Sequence, residues 1–219
     1  MELQDILYQR HSIRHFREGD VPDEDIEKIV KAAGTAPSGK NIQNWHFVAI
    51  KNKSLIEKIG QVLTEKNEEI ALEMDKKDLE KGNKFRKFVK NFTLFFLKAP
   101  VLVVVYTTPY YPSGYHELTF AGADREVLDD IVYQRSPGMQ SLGAALENFT
   151  LSAIDLGYGS CWLTSANYAA SEIEALIKNE SGFEKEGFFM GAMMALGIPE
   201  ENPKSPAKKP LSEIFTLIK

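Results

Sequence analysis

Apolar residues change their spacing several times along this chain, and each change marks an element. Leu3, Ile6 and Leu7 recur at helical spacing, which predicts a short amphipathic helix over residues 2–9. A second helical stripe is Ile26, Ile29, Val30 and Ala33. It opens in Val21-Pro22-Asp23-Glu24-Asp25, with acids in the first turn, and Gly34 can stop it. Residues 45–50 are apolar enough for a buried strand. Leu55, Ile56, Ile59, Val62 and Leu63 then restore helical spacing over residues 52–72. Residues 73–84 carry mixed charge, as a solvated helix or a mobile loop would. Phe85, Phe88, Val89, Phe92, Phe95 and Phe96 form an aromatic stripe, suited to a core, a subunit interface or the wall of an apolar pocket. Residues 101–107 are β-branched almost throughout and predict the clearest strand.

Residues 108–120 are rich in Tyr, Pro and Gly and read as a loop, of the kind that serves as a lid or interface element. A helix is expected over 124–135, with Val127, Leu128 and Ile131 on one face. Ser136-Pro137-Gly138 opens a long helix whose apolar positions cover much of its circumference: Met139, Leu142, Ala145, Leu146, Phe149, Ile154 and Leu156. That pattern predicts a central buried helix, capped at Gly157 in the left-handed conformation. Residues 160–164 look like a strand. Ser171 and Glu174 suggest a capping box for a helix with Ile173, Leu176 and Ile177 on its apolar side. Residues 188–198 read as a Gly- and Met-rich strand. Residues 199–210 form a proline-punctuated connection carrying Lys204, Lys208 and Lys209. The apolar tail, 211–218, calls for something to dock on, such as a partner subunit. No repeat or linker divides the chain, so one domain over 1–219 is expected.

Composition narrows the function classes. Of 219 residues, 43% are hydrophobic and 26% charged, the balance of a soluble globular protein. A net charge of -5 argues against general nucleic-acid binding. The longest apolar run, 99–106, is too short for a bilayer, so no membrane association is expected. The opening Met-Glu-Leu-Gln-Asp lacks the basic and apolar regions of a signal peptide, and Cys161 has no second cysteine to pair with. A reducing, cytoplasmic setting is the expectation.

Two stretches carry candidate chemistry. If residues 10–17 are extended, Arg10, Ser12 and Arg14 point to one side and Ile13 to the other. Two guanidiniums around a hydroxyl suit a phosphate, although a solvated basic loop has the same pattern. Residues 36–44 form a polar turn, Ala-Pro-Ser-Gly-Lys-Asn-Ile-Gln-Asn, feeding the strand at 45–50. It reads equally as a connector or as a ligand-facing loop. Gly157-Tyr158-Gly159-Ser160 follows a helix and precedes a strand, the reverse of a dinucleotide fingerprint. Cys161 has no basic neighbour in sequence and reads as buried filler. The four histidines, 11, 15, 46 and 116, are not spaced as metal ligands.

Taken in order, Arg10-His11-Ser12-Ile13-Arg14-His15-Phe16, then Ala36 to Phe47, the long helix into Gly157-Tyr158-Gly159-Ser160-Cys161-Trp162, and Lys208-Lys209-Pro210-Leu211 resemble the nitroreductase family of FMN-dependent oxidoreductases. The resemblance covers nearly the whole chain. It implies an α+β fold, a mostly antiparallel sheet wrapped by helices, in an intertwined homodimer whose C-terminal tails cross to the other subunit. It implies FMN at the dimer interface, NAD(P)H as co-substrate, and a small-molecule electron acceptor (a nitroaromatic, quinone or enone) reduced in a ping-pong cycle. A different flavin reaction on the same fold, reductive dehalogenation or flavin cleavage, or flavin binding without turnover, are the alternatives.

By the same resemblance, Arg10, His11 and Ser12 hold the FMN phosphate and ribityl chain, helped by Lys208 and Lys209. Arg14 lies near N1 of the flavin as an electrostatic stabiliser, and no side chain acts as a separate catalytic acid or base. Pro37, Ser38, Gly39 and Asn41 reach the flavin from the other subunit, Asn91 contacts the ring, and Leu163, Thr164 and Ser165 present a backbone amide to N5. The chain departs from the family pattern with Thr-Ser-Ala-Asn at 164–167, with Lys208 where Arg is commoner, and with Asn44 where Pro usually precedes the Trp.

Overall fold

A computed structural model describes residues 2–200 and 206–219. Four strands, β1 (Trp45–Ile50), β2 (Val101–Thr107), β3 (Gly159–Leu163) and β4 (Phe189–Gly197), form one sheet in the order β1-β2-β4-β3. Every pairing is antiparallel. The helices are α1 (Leu3–Gln9), α2 (Asp23–Ala33), α3 (Lys53–Asp75), α4 (Leu79–Phe92), α5 (Tyr115–Phe120), α6 (Arg125–Asp129), α7 (Pro137–Asp155), α8 (Ala170–Ser181) and α9 (Leu211–Ile214). This is the expected α+β architecture. No described helix is long and apolar enough to cross a membrane.

The period-two alternation of β2 divides the core into two layers. Val101, Val103 and Val105 face α2 and α7, where they meet Ile29, Leu142, Leu146 and Phe149. Leu102, Val104 and Tyr106 face α3 and α8, against Ile56, Ile59, Leu63, Ile173 and Ile177. β4 alternates in step until Gly191. There the ladder skips a residue, pairing Val105 with Ala192 and Tyr106 with Met190. This bulge puts Met190 in the α3–α8 layer although Ala192, of the same parity, lies in the other. Gly191 is required at that point: a Cβ would stand 2.6 Å from the Leu142 side chain.

α7 is the central helix the pattern predicts, and its cap is a Schellman motif. Tyr158 N–H donates to Ala153 O at 2.8 Å and Gly157 N–H to Ile154 O at 2.9 Å, with Gly157 at φ 86.

Several expectations change. β1 is half-buried rather than buried, because it is an edge strand with one hydrogen-bonding neighbour. The charged run 73–84 is neither one helix nor a loop: it completes α3, turns, and starts α4, with Asp78 accepting from Lys81 N–H at 3.1 Å. Residues 108–120 contain a helix, α5, whose Glu117 side chain accepts from Gly114 N–H at 3.1 Å. The aromatic stripe splits. Val89 and Phe96 enter the core, Phe85 and Phe95 are half-buried, and Phe88 and Phe92 stack on each other at the surface, 5.3 Å apart. Ser171 lies inside α8 and Glu174 accepts from Met190 N–H, so no capping box forms. Lys204 lies outside the described residues.

Candidate functional site

Residues 10–17 run from the outer edge of β3 to the residues that follow β4. Ile13 N–H donates to Ser160 O at 2.9 Å, Arg17 N–H to Ile198 O at 3.0 Å, and Phe16 bridges Pro199. The anchor is Ile13, 6% exposed, seated on Gly159, where a Cβ would lie 2.6 Å from Ile13 Cγ1. Burying Ile13 sends Ser12 and Arg14 to the other side. Both come close to Cys161, giving it through space the basic neighbour its sequence context lacks. Burial still dominates and pushes the thiol up, with Arg14 and the Ser12 hydroxyl opposing it. The Arg14 guanidinium also lies 5.8 Å from the centre of the Phe95 ring.

Arg10 is half-buried, with Nε 3.7 Å from Glu147 Oε1 on α7. That is a long contact, leaving guanidinium N–H groups for a ligand. His11 Nδ1 lies 2.6 Å from Gln9 O. With that nitrogen donating, His11 Nε2 is buried without a hydrogen-bond partner among the described residues, and so is Ser160 Oγ. Unpaired buried polar atoms are costly, and such atoms are the ones a polar ligand can satisfy.

The polar turn is a tight loop. Ser38 Oγ accepts from Gln43 N–H at 2.9 Å, and Asn41 Oδ1 accepts from Gln43 Nε2 at 3.3 Å. Lys40, Asn41 and Gln43 take φ of 52, 53 and 47. Three non-glycine residues in the left-handed region within four positions concentrate strain, which folds retain chiefly at functional loops. Pro37 and Asn41 are exposed, while Ser38 and Gly39 are half-buried. Gly39 N–H donates to Ser141 Oγ of α7 at 3.4 Å, and a Cβ on Gly39 would lie 2.5 Å from the Tyr110 ring.

The remaining predicted residues are spread out. Leu163 is buried at the end of β3, with Thr164 exposed and Ser165 half-buried in the turn beyond, where Asn167 N–H donates to Thr164 O at 3.1 Å. β3 therefore stops one residue sooner than expected. Asn91 is exposed on α4. Lys208 and Lys209 are exposed in the tail, and Lys209 Nζ lies 3.8 Å from Glu213.

The structure thus brings Ser12 and Arg14 to Cys161 of β3 and Arg10 to α7, but places Pro37 to Asn41 at the opposite edge of the sheet, beside β1. Three strand spacings, about 14 Å, separate those edges. Their anchors on α7, Glu147 and Ser141, are six residues apart, or about 240° around the helix. The two halves lie on different sides of one protomer.

Two features escaped the sequence reading. One is a cleft of about 310 Å3 walled by Tyr110, Tyr111, Tyr133, Met139 and Phe189, with no charged residue in its lining. Its signal was Gly191: a glycine inside an apolar strand marks a bulge, and this bulge turns Phe189 into the cleft. The other is the role of Asn44, which is 2% exposed and binds the end of the loop to β2 and α7. Among the described residues no group of three His, Cys, Asp or Glu side chains could hold a metal ion.

Known proteins resemble this chain in sequence or in fold. A solved structure described as a BluB-like flavoprotein from Clostridium difficile 630 is 65% identical, each chain covering all of the other, with a TM-score of 0.98. An Archaeoglobus fulgidus protein carrying the provisional name NADH dehydrogenase/NAD(P)H nitroreductase is 26% identical over 196 residues, covering 90% of this chain and 84% of its own. The iodotyrosine deiodinase of Hydra vulgaris is 48% identical over 59 residues, covering 27% of this chain and 22% of that protein. A model of the Nitroreductase family matches residues 7–198, most of the chain, and so the chain belongs to the nitroreductase family.

Proposed function

We propose that the protein binds FMN and takes hydride from NADH or NADPH to reduce small electron-poor acceptors, nitroaromatics or quinones among them. The observation that carries this is the segment beside β3, where Ser12 and Arg14 flank Cys161, Arg10 makes a long contact to Glu147, and His11 Nε2 and Ser160 Oγ are buried without a partner among the described residues. These residues fit the cofactor: forked cationic donors and a hydroxyl suit its phosphate, and a second fixed cation suits a ring that gains negative charge on reduction. The flavoprotein description of the 65% identical neighbour supports the same reading.

Bound FMN would supply the two-electron chemistry, accepting hydride from the nicotinamide and delivering it to the acceptor. The chain's residues bind, orient and shield. Arg10, His11 and Ser12 hold the phosphate end, with Lys208 and Lys209 adding charge from the tail. Arg14 stabilises negative charge on the ring. The turn after Leu163, through Thr164 and Ser165, offers backbone amides to its edge, and Asn91 approaches from α4. Pro37, Ser38, Gly39 and Asn41 serve the site of a partner subunit, because their own protomer keeps them on its far side. The neutral aromatic cleft favours a flat, uncharged acceptor. Donor and acceptor then use one place in turn, in a ping-pong cycle, within a cytoplasmic homodimer.

The visible spectrum of the purified protein, before and after anaerobic NADH or NADPH, tests this. A yellow protein whose 450 nm-region band bleaches with a pyridine nucleotide and returns with a nitroaromatic is expected. A colourless protein that ignores added FMN overturns the reading.

The deiodinase match favours a second reading, reductive dehalogenation, in which hydride replaces iodide on an aromatic ring and iodide leaves with the bonding pair. Stoichiometric iodide release from an iodophenol, with nitroaromatics left untouched, would select it.

A further inference from the structure

We infer that Asn44 is a positioning residue that locks the flavin-facing loop to the acceptor cleft; the inference rests on the flavin reading above. Asn44 directly follows the loop's strained residues Lys40, Asn41 and Gln43. Its Nδ2 donates to Thr107 Oγ1 at 2.9 Å, to Gly138 O at 3.2 Å and to Thr108 O at 3.4 Å. The Thr107 hydroxyl in turn donates to Asn44 O at 2.6 Å. One carboxamide therefore ties the loop to the end of β2 and to the first turn of α7.

Two of those three acceptors belong to the cleft, since Thr108 and Gly138 both line it. The loop's other tie, Gly39 N–H to Ser141 Oγ, lands three residues further along α7, one turn on from Gly138. The loop is thus held at both ends by consecutive turns of one helix. Tyr110, which closes over Gly39, is itself a wall of the cleft. Movement of the loop and movement of the cleft wall become one motion.

The amide's orientation is forced. Its partners are all oxygens that accept, so Nδ2 must face them, leaving Oδ1 buried and unpartnered among the described residues. Asparagine stands here with its acceptor atom unsatisfied, so its contribution lies in the donor. A carboxylate could not substitute, because it would face those oxygens with lone pairs and a charge.

The test compares wild type with Asn44→Ala, Thr107→Val and the double variant. FMN affinity is read by fluorescence, acceptor KM and the NAD(P)H half-reaction by stopped flow, and exchange of the Gly39 and Gln43 amides by hydrogen exchange. Asn44→Ala is expected to weaken FMN binding by about three- to tenfold, the reach of one or two lost hydrogen bonds. It should raise acceptor KM at saturating FMN while leaving the rate of flavin reduction within about twofold. The double variant should fall short of the sum of the singles, because the two side chains act as one unit. A variant that melts earlier but keeps FMN affinity, acceptor KM and amide protection reduces Asn44 to a structural residue and overturns the inference. A wild type that binds no FMN overturns the flavin reading alone. The amide arm then decides: faster exchange at Gly39 and Gln43 in Asn44→Ala upholds the clamp, and unchanged exchange removes it.

Discussion

At the scale of single residues, the clearest electrostatic consequence lies away from the candidate site. His46 on β1 stacks on Phe183 with ring centres 5.4 Å apart and 8° between planes. Burial, and then the charge of Lys185, hold its imidazolium below the ordinary value of 6.5. Folding therefore favours the neutral ring. Its contribution is present above pH 6.5 and is lost as pH falls through the depressed folded value. Melting curves between pH 7.5 and 5 should show stability falling towards acid, and His46→Phe, which keeps the stack, should flatten part of that slope. Cys161 reads as buried filler from its sequence neighbours, and its burial and raised thiol agree although Arg14 comes near it. Iodoacetamide at pH 8 should leave it unmodified in the native protein and label it fully after denaturation. The Arg14 contact was illegible, because it joins residues far apart in sequence across the β3 edge.

At the scale of elements, what was legible depended on local period. β2, with its β-branched run, and α7, with its broad apolar surface, follow directly from spacing. The polar turn was recognisable as a turn from Pro37, Ser38 and Gly39. Its left-handed residues were not, since neither Lys40 nor Gln43 favours that conformation; ties to α7 impose it. The bulge at Gly191 is likewise tertiary, set by α7 packing on the sheet. Gly191→Ala would bring a Cβ within 2.6 Å of Leu142 and 3.1 Å of Thr107. A loss of about 1–3 kcal/mol is expected from this overpacking, read as a fall in Tm of about 2–4 °C per kcal/mol. Phe189 should shift with the bulge, so acceptor KM should rise in the same variant.

At the scale of the molecule, the surface of one chain exceeds that of a compact monomer of its mass. It measures 13662 Å2 for 24.6 kDa, against about 10,100 Å2 for a compact monomer of that mass. The excess includes the tail, where Leu211, Ile214, Phe215, Leu217 and Ile218 are all at least 56% exposed. Such a tail suits exchange between the subunits of the proposed homodimer. Deleting residues 206–219 should lower dimer stability in light-scattering measurements and weaken FMN binding by removing Lys208 and Lys209. A truncated chain that stays fully dimeric would separate the tail from assembly.

The placement of the two half-sites on opposite sheet edges has a genetic corollary. If each flavin is shared, a chain with Arg10→Ala and Ser12→Ala and a chain with a disabled 37–41 loop fail for complementary reasons. Alone, neither homodimer has an intact centre. Co-expressed and randomly paired, half of the dimers are mixed, and each mixed dimer holds one intact centre and one carrying both lesions. About a quarter of the wild-type flavin content should return. Two inactive alleles would rescue one another, and no such rescue could occur if each chain built its centre alone.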